Sequence, residues 1–177
     1  MSIWLSLARI AELEDGDYRL RPPRMDDLSD FVTILSKEGY LPYICPVPVS
    51  QEEAGNIFVT LFLKEPLGVW AIEDRVNQIM IGILRLDHIK EDRAELGYFL
   101  REDYQGRGIM TRLVTQVSDI LLGLGLMKRL SIITHLTNSK SQSVAKRSGF
   151  RQYRQFKGSD RFSHMICDYI EWIKESV

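Results

Sequence analysis

The chain has 177 residues, of which 45% are hydrophobic and 27% charged. That is enough to enclose one core, in the proportions of an ordinary globular domain. Its 23 basic and 24 acidic residues leave a formal net charge of -1, so no overall field draws it to nucleic acid or to a membrane surface. No apolar run nears the ~20 residues of a membrane span. Met1 to Leu7 carries neither the basic region nor the cleavage site of a secretory leader. Cys45 and Cys167 lie far apart without C-x-x-C spacing, which suits free thiols in a reducing cytoplasm.

Residues Met1 to Asp17 give no clear pattern and are open to an extra strand, a helix or a homodimer contact. Tyr18 to Pro22 reads as a short strand ended by Pro22-Pro23, because proline removes a ladder donor. Met25 to Lys37 reads as a helix with Met25, Leu28, Phe31, Val32 and Leu35 on one stripe, stopped by Gly39. Pro42, Pro46 and Pro48 make Tyr40 to Val49 an extended loop. Ser50 with Glu53 is a capping box that opens a second helix to about Leu63. Leu67 to Glu73 and Gln78 to Asp87 then predict an antiparallel hairpin turning at Glu73 to Asn77.

Ala94 to Leu100 is the next strand. Ile109 to Leu124 is a helix, with Met110, Leu113, Val114, Val117, Leu121 and Leu124 at helical spacing and an end loosened by Gly123 and Gly125. A strand over Arg129 to Leu136 precedes a helix over Asn138 to Ser148 that Gly149 stops. Two final strands, Phe150 to Lys157 and Phe162 to Trp172, flank a turn at Gly158-Ser159-Asp160. No repeat or long linker divides the chain, so the order of elements predicts one mixed α/β domain over 1–177, with 1–17 as an extension.

The stretch Tyr104-Gln105-Gly106-Arg107-Gly108-Ile109-Met110-Thr111 carries the chemistry. A strand, a glycine turn and a helix start aim backbone N–H groups and the positive end of a dipole at one point, which suits a phosphate. Arg101, Arg107 and Arg112 surround the turn, and the planar guanidinium fits phosphate. Glu102 and Asp103 partly cancel that field. Neither a GxxxxGK[ST] loop nor a full GxGxxG fingerprint is present.

The segment resembles the acetyl-CoA motif of the GCN5-related N-acetyltransferases, commonly Q/R-x-x-G-x-G/A. Gln105 and Gly108 match, and Met110 stands where Gly or Ala is usual. The form Tyr-Gln-Gly-x-Gly-Ile-Met-Thr is more similar to the RimJ/RimL-type branch. The resemblance runs from roughly Tyr18 to Tyr169. It takes in Leu20-Arg21-Pro22, Ala94-Glu95-Leu96-Gly97-Tyr98, and Asn138-x-x-Ser141-x-x-Val144 followed by Gly149-Phe150.

That resemblance implies the GNAT fold: a mostly antiparallel central sheet flanked by helices, with two strands, Ala94–Leu100 and Arg129–Leu136, splayed at a cofactor cleft. It implies acetyl-CoA as cosubstrate, with pyrophosphate on the N–H groups of Gln105 to Thr111, including Gly106, Arg107, Gly108, Ile109 and Met110. Pantetheine would bond Phe99, Leu100, Arg101, Asn138 and Ser141 as if it were an added strand. Glu95 is the candidate base, acting directly or through water, on an apolar strand that can raise a carboxylate pKa. A backbone N–H of Phe99 or Leu100 would stabilise the oxyanion, and Ser141 would protonate the departing thiolate. Asn138 also fits a plain helix N-cap. The expected acceptor is a primary amine, favouring a protein N-terminus, with a small-molecule amine and a non-catalytic acyl-CoA sensor as competing readings.

Other polar residues have a weaker pattern. His88 and His135 end strands and His164 lies in the last one; none has metal-site spacing, so no metal is expected. There is no GxSxG elbow, and Cys45 has no activating base in view. Tyr40 to Pro48 is where the family resemblance puts acceptor specificity.

Overall fold

The computed structural model describes residues 3–37, 50–160 and 163–176. The loop expected over Tyr40 to Val49, with Cys45 and the stop at Gly39, lies outside the described residues. Among the described residues, eight strands follow the order β1-β2-β3-β4-β5-β6-β8-β7, with five α-helices. They gather into two compact units: Met1–Arg85 with Tyr98–Gln105, and Leu86–Gly97 with Gly106–Val177.

In the first unit, the unassigned N-terminus is a helix, α1 (Ile3–Arg9), and a hairpin, β1 (Leu13–Asp15) with β2 (Tyr18–Arg21). Gly16 turns the hairpin at φ +59°. Leu7 of α1 is buried, and the Trp70 indole N–H donates to the Ile10 carbonyl at 3.1 Å. The helix predicted from Met25 begins as a single 3-10 turn, Met25–Asp27, and becomes α2 at Leu28–Lys37. Met25 is therefore off the stripe and 54% exposed, while Phe31, Ile34 and Leu35 are the residues buried. The Ser50 hydroxyl accepts the Glu53 N–H at 3.1 Å and opens α3 (Gln51–Phe58). The helix continues as a π-helical turn over Val59–Leu63. Phe31, Phe58, Phe62 and Phe99 form an aromatic cluster with centroids 5.1–6.1 Å apart. Such pairs add about 0.5–1.5 kcal/mol beyond area burial.

β3 (Val69–Asp74) lies antiparallel between β2 and β4 (Ile79–Lys90), with an irregularity between Ile72 and Glu73. Every residue of β3 is buried, polar ones included. The two acids at its end must therefore find donors. Glu73 accepts from Arg19, at 3.0 Å, and from Arg21, which also binds Asp27 at 2.6 Å. The Asp74 carboxylate accepts from the N–H groups of Val76 and Asn77, which closes the β3–β4 turn.

The second unit centres on β6 (Arg129–His135). It pairs with β8 (Ile166–Glu175) along its whole length, and β8 pairs with β7 (Arg151–Ser159). α4 (Ile109–Gly123) buries Ile109, Met110, Leu113, Val114, Val117 and Leu121. α5 (Ser139–Arg147) begins at Asn138, as expected. The turn predicted at Gly158-Ser159-Asp160 lies further on. Gly158 and Ser159 are strand residues opposite Cys167 and Ile166, and the Phe156 and Tyr169 rings lie 3.3–3.4 Å from where a Cβ on Gly158 would sit. That glycine marks side-chain packing across a ladder, where sequence reading took it for a turn.

Candidate functional site

The approach to the glycine turn is a 3-10 turn, Glu102–Tyr104, whose N–H groups are tied locally: Tyr104 to the Arg101 carbonyl and Gln105 to that of Glu102. The Gln105 side chain folds back to donate to the Leu100 carbonyl at 2.8 Å. The chain then enters Gly106 at φ +75° and Gly108 at φ +73°. A Cβ on Gly106 would meet nothing within 4 Å. The left-handed backbone, and not crowding by protein, therefore demands glycine there.

Gly108 is the N-cap of α4 and offers no side chain to its N–H groups. The first helical bond runs from the Arg112 N–H to the Gly108 carbonyl at 3.1 Å. The N–H groups of Ile109, Met110 and Thr111 precede that bond, so they stand at the positive end of a 15-residue helix. Arg107 and Arg112 are exposed beside them, whereas Arg101 is held by Asp103 at 2.8 Å. Met110 is 6% exposed, so the residue that departs from the expected Gly or Ala points into the core.

β5 (Arg93–Leu100) pairs in parallel with β6 only from Arg93–Arg129 to Glu95–Ser131. β6 continues to His135 with β8 on its other side, so its ladder with β5 ends at the Glu95–Ser131 pair. Glu95 is half-buried between buried Ala94 and Leu96. In the first unit, the last residues of β5 bear closely on β4. The Arg101 N–H donates to the Ile81 carbonyl at 2.7 Å, and the Phe99 carbonyl oxygen lies where a Cβ on Gly82 would be. Sequence reading missed Gly82; a glycine inside an apolar strand was the available signal.

The Asn138 side chain accepts the Ser141 N–H at 3.1 Å, which fulfils its capping role and places Ser141 half-buried in the first turn of α5. His135 ends β6 as predicted, with its ring 4.4 Å from that of Tyr169 and its Nε2 3.4 Å from Asp160. His88 and His164 stand elsewhere than expected. β4 runs on past His88 to Lys90, and His164 precedes β8; both have positive φ. Among the described residues, no group of three His, Cys, Asp or Glu side chains is placed to hold a metal ion. No described helix is long and apolar enough to cross a membrane.

The model of the family described as the acetyltransferase (GNAT) domain matches residues 18–151. The chain belongs to the GNAT acetyltransferase family. Several solved structures share the fold of this GNAT acetyltransferase. A ribosomal-protein-S5-alanine acetyltransferase from Vibrio fischeri is 21% identical, with 93% of this chain and 96% of that one covered and a TM-score of 0.76. RimL, a ribosomal L7/L12 α-N-protein acetyltransferase in complex with coenzyme A, is 22% identical over 91% and 95%, with a TM-score of 0.78. The microcin C7 self-immunity acetyltransferase MccE, in complex with acetyl-CoA and AMP, is 16% identical over 91% and 93%, also at 0.78. None of the curated proteins matches the sequence.

Proposed function

We propose that this GNAT acetyltransferase is a single catalytic domain that moves the acetyl group of acetyl-CoA directly to a primary amine. The observation that carries this reading is the pair of left-handed glycines, Gly106 and Gly108, leading into a helix start without a side-chain cap. That cradle suits the pyrophosphate, with Gly106 to Thr111 supplying N–H groups and Arg107 and Arg112 supplying charge. Gln105, expected among the donors, has its own N–H on the Glu102 carbonyl and its side chain on that of Leu100, so it holds the entrance of the turn instead. The early end of β5–β6 pairing supports pantetheine beside Phe99, Leu100, Arg101, Asn138 and Ser141. Acetyl-CoA supplies the activated thioester.

Glu95, directly or through one water, takes the proton that the attacking amine must lose. The amine nitrogen bonds the carbonyl carbon, and the oxyanion meets a backbone N–H of Phe99 or Leu100. When the oxyanion collapses, the C–S bond breaks, its electron pair goes to sulfur, and Ser141 gives the thiolate a proton that solvent restores. A positioned base of this kind contributes about 10²–10⁴-fold.

A protein N-terminus is the favoured acceptor. The RimJ/RimL-like form of the turn supports it, and so does the likeness to enzymes that act on ribosomal proteins. A small-molecule amine is the second reading, and the likeness to MccE, a self-immunity acetyltransferase solved with acetyl-CoA and AMP, is what favours it. The test follows thiol release from acetyl-CoA with peptides that begin in Ala or Ser, set against the same peptides blocked at the N-terminus and a panel of small amines. Release with free peptides alone is the expected result. Release with small amines alone would overturn the protein-acceptor assignment.

A further inference from the structure

Asp74 has more partners than its turn requires. One carboxylate oxygen accepts the N–H groups of Val76 and Asn77, at 2.9 and 3.2 Å, and an asparagine could do as much. The other oxygen accepts from the Asn77 side-chain amide at 2.8 Å and from the Tyr104 hydroxyl at 2.8 Å. Four donors converge on two oxygens, and only a carboxylate offers acceptors on both arms. Asp74 is 6% exposed and Tyr104 8% exposed, so this is a charge-assisted bond in a dry setting. Burial alone would raise the Asp74 carboxyl, but the bonds from Asn77 and Tyr104 outweigh it and hold it below the usual carboxylate range.

Tyr104 ends the 3-10 turn, and the next residue, Gln105, opens the glycine turn. The lead-in is therefore held twice: by the Gln105 side chain on the Leu100 carbonyl, and by the Tyr104 hydroxyl on Asp74, thirty residues earlier in the chain. Gly106 and Gly108 have the most backbone freedom in the segment. A flexible turn held open at its start would lose affinity to ordering entropy each time it bound. We propose that Asp74 and Tyr104 are positioning residues that fix the entrance of the phosphate turn and so lower the cost of binding CoA. This rests on the assignment of that turn to the pyrophosphate.

The experiment titrates CoA calorimetrically into the full chain and into Tyr104→Phe, Asp74→Asn and the double variant, with steady-state kinetics and melting curves alongside. Tyr104→Phe removes one hydroxyl and keeps the ring. Only part of the strength of this charge-assisted bond is felt at the turn, so CoA affinity and the acetyl-CoA KM should each weaken by roughly tenfold while kcat holds. The double variant should be no weaker than the weaker single one, because both changes remove the shared Tyr104–Asp74 bond. Unchanged affinity and KM in Tyr104→Phe, with only a lower melting midpoint, would make the tyrosine purely structural. Additive losses would show two independent effects and also overturn the clamp. If the unaltered chain binds no CoA, the pyrophosphate assignment itself fails, and the clamp fails with it.

Discussion

Glycine stands at 106 and 108 because the chain turns left-handed twice within three residues. Any L-residue there costs about 1–2 kcal/mol, and a β-branched one costs more. Gly108→Val should therefore weaken CoA binding at least tenfold by calorimetry, since the strain is relieved by moving the N–H groups that hold phosphate. Gly125→Ala is the control, because Gly125 has φ +65° and an open Cβ position but lies past the far end of α4. Equal losses in both variants would assign the effect to general strain. Glu95 lends itself to a separate test. Glu95→Gln keeps the shape and removes the base, so kcat should fall by about 10²–10⁴ with little change in CoA affinity. Unaltered turnover would remove Glu95 from the chemistry. The left-handed glycine pair and the half-buried place of Glu95 were legible in the sequence, since a glycine pair before an amphipathic helix and an acid on an apolar strand are local signals.

Elements were legible where the signal stayed within them. Helical spacing gave α4, and Ser50 and Asn138 gave two helix starts, because a cap is a contact across three residues. Contacts between elements were not. Alternation assigns a strand residue to a face, but it does not say which backbone lies against it. Gly82 is the clearest case: its place in β4 could be read, but not the Phe99 carbonyl that fills the place of its side chain. Asp74 likewise read as a turn residue, while its bond to Tyr104 needs the β3–β4 turn and the end of β5 placed in space. Met25 misled for a related reason, since the 3-10 start of α2 shifts the phase of the stripe and turns Met25 outward. Gly82→Ala would drive a Cβ into the Phe99 carbonyl, with the Leu100 Cα at 3.1 Å and the Ile72 side chain at 3.3 Å. Two of those neighbours are backbone and yield little. The substitution should cost about 2–3 kcal/mol in urea unfolding, and a loss below about 0.5 kcal/mol would show that β5 has room to move away from β4.

At the scale of the molecule, net charge is near zero, and pH dependence comes from a few groups that folding holds in place. In the first unit, burial would raise the Glu73 carboxyl, but hydrogen bonds from Arg21 and Arg19 override it and leave it lowered, as Asp74 is. In the second, hydrogen bonds from Arg129 and Arg151 lower Glu175, although its exposure to solvent screens the effect. A carboxylate lowered by folding stabilises fully above its unfolded value. It loses that contribution as pH falls through the folded value, because the unfolded chain then binds the extra proton. Tyr104 works from the other end: burial and the bond to Asp74 raise its hydroxyl, so its contribution is full below the ordinary value near 10 and is lost as pH climbs through the raised one. Stability should therefore be flat from about pH 5 to 9 and fall on both sides. Urea midpoints across that range check this, and variants assign the two limbs. Glu73→Gln should flatten the acid limb and lower the plateau by about 3 kcal/mol, because Arg21 would be left buried with Asp27 as its one remaining carboxylate partner. Tyr104→Phe should flatten the alkaline limb and ease the acid one only by the share of the Asp74 shift that its hydroxyl supplies. An acid limb as steep in Glu73→Gln as in the unaltered chain would mean that the protons responsible bind elsewhere.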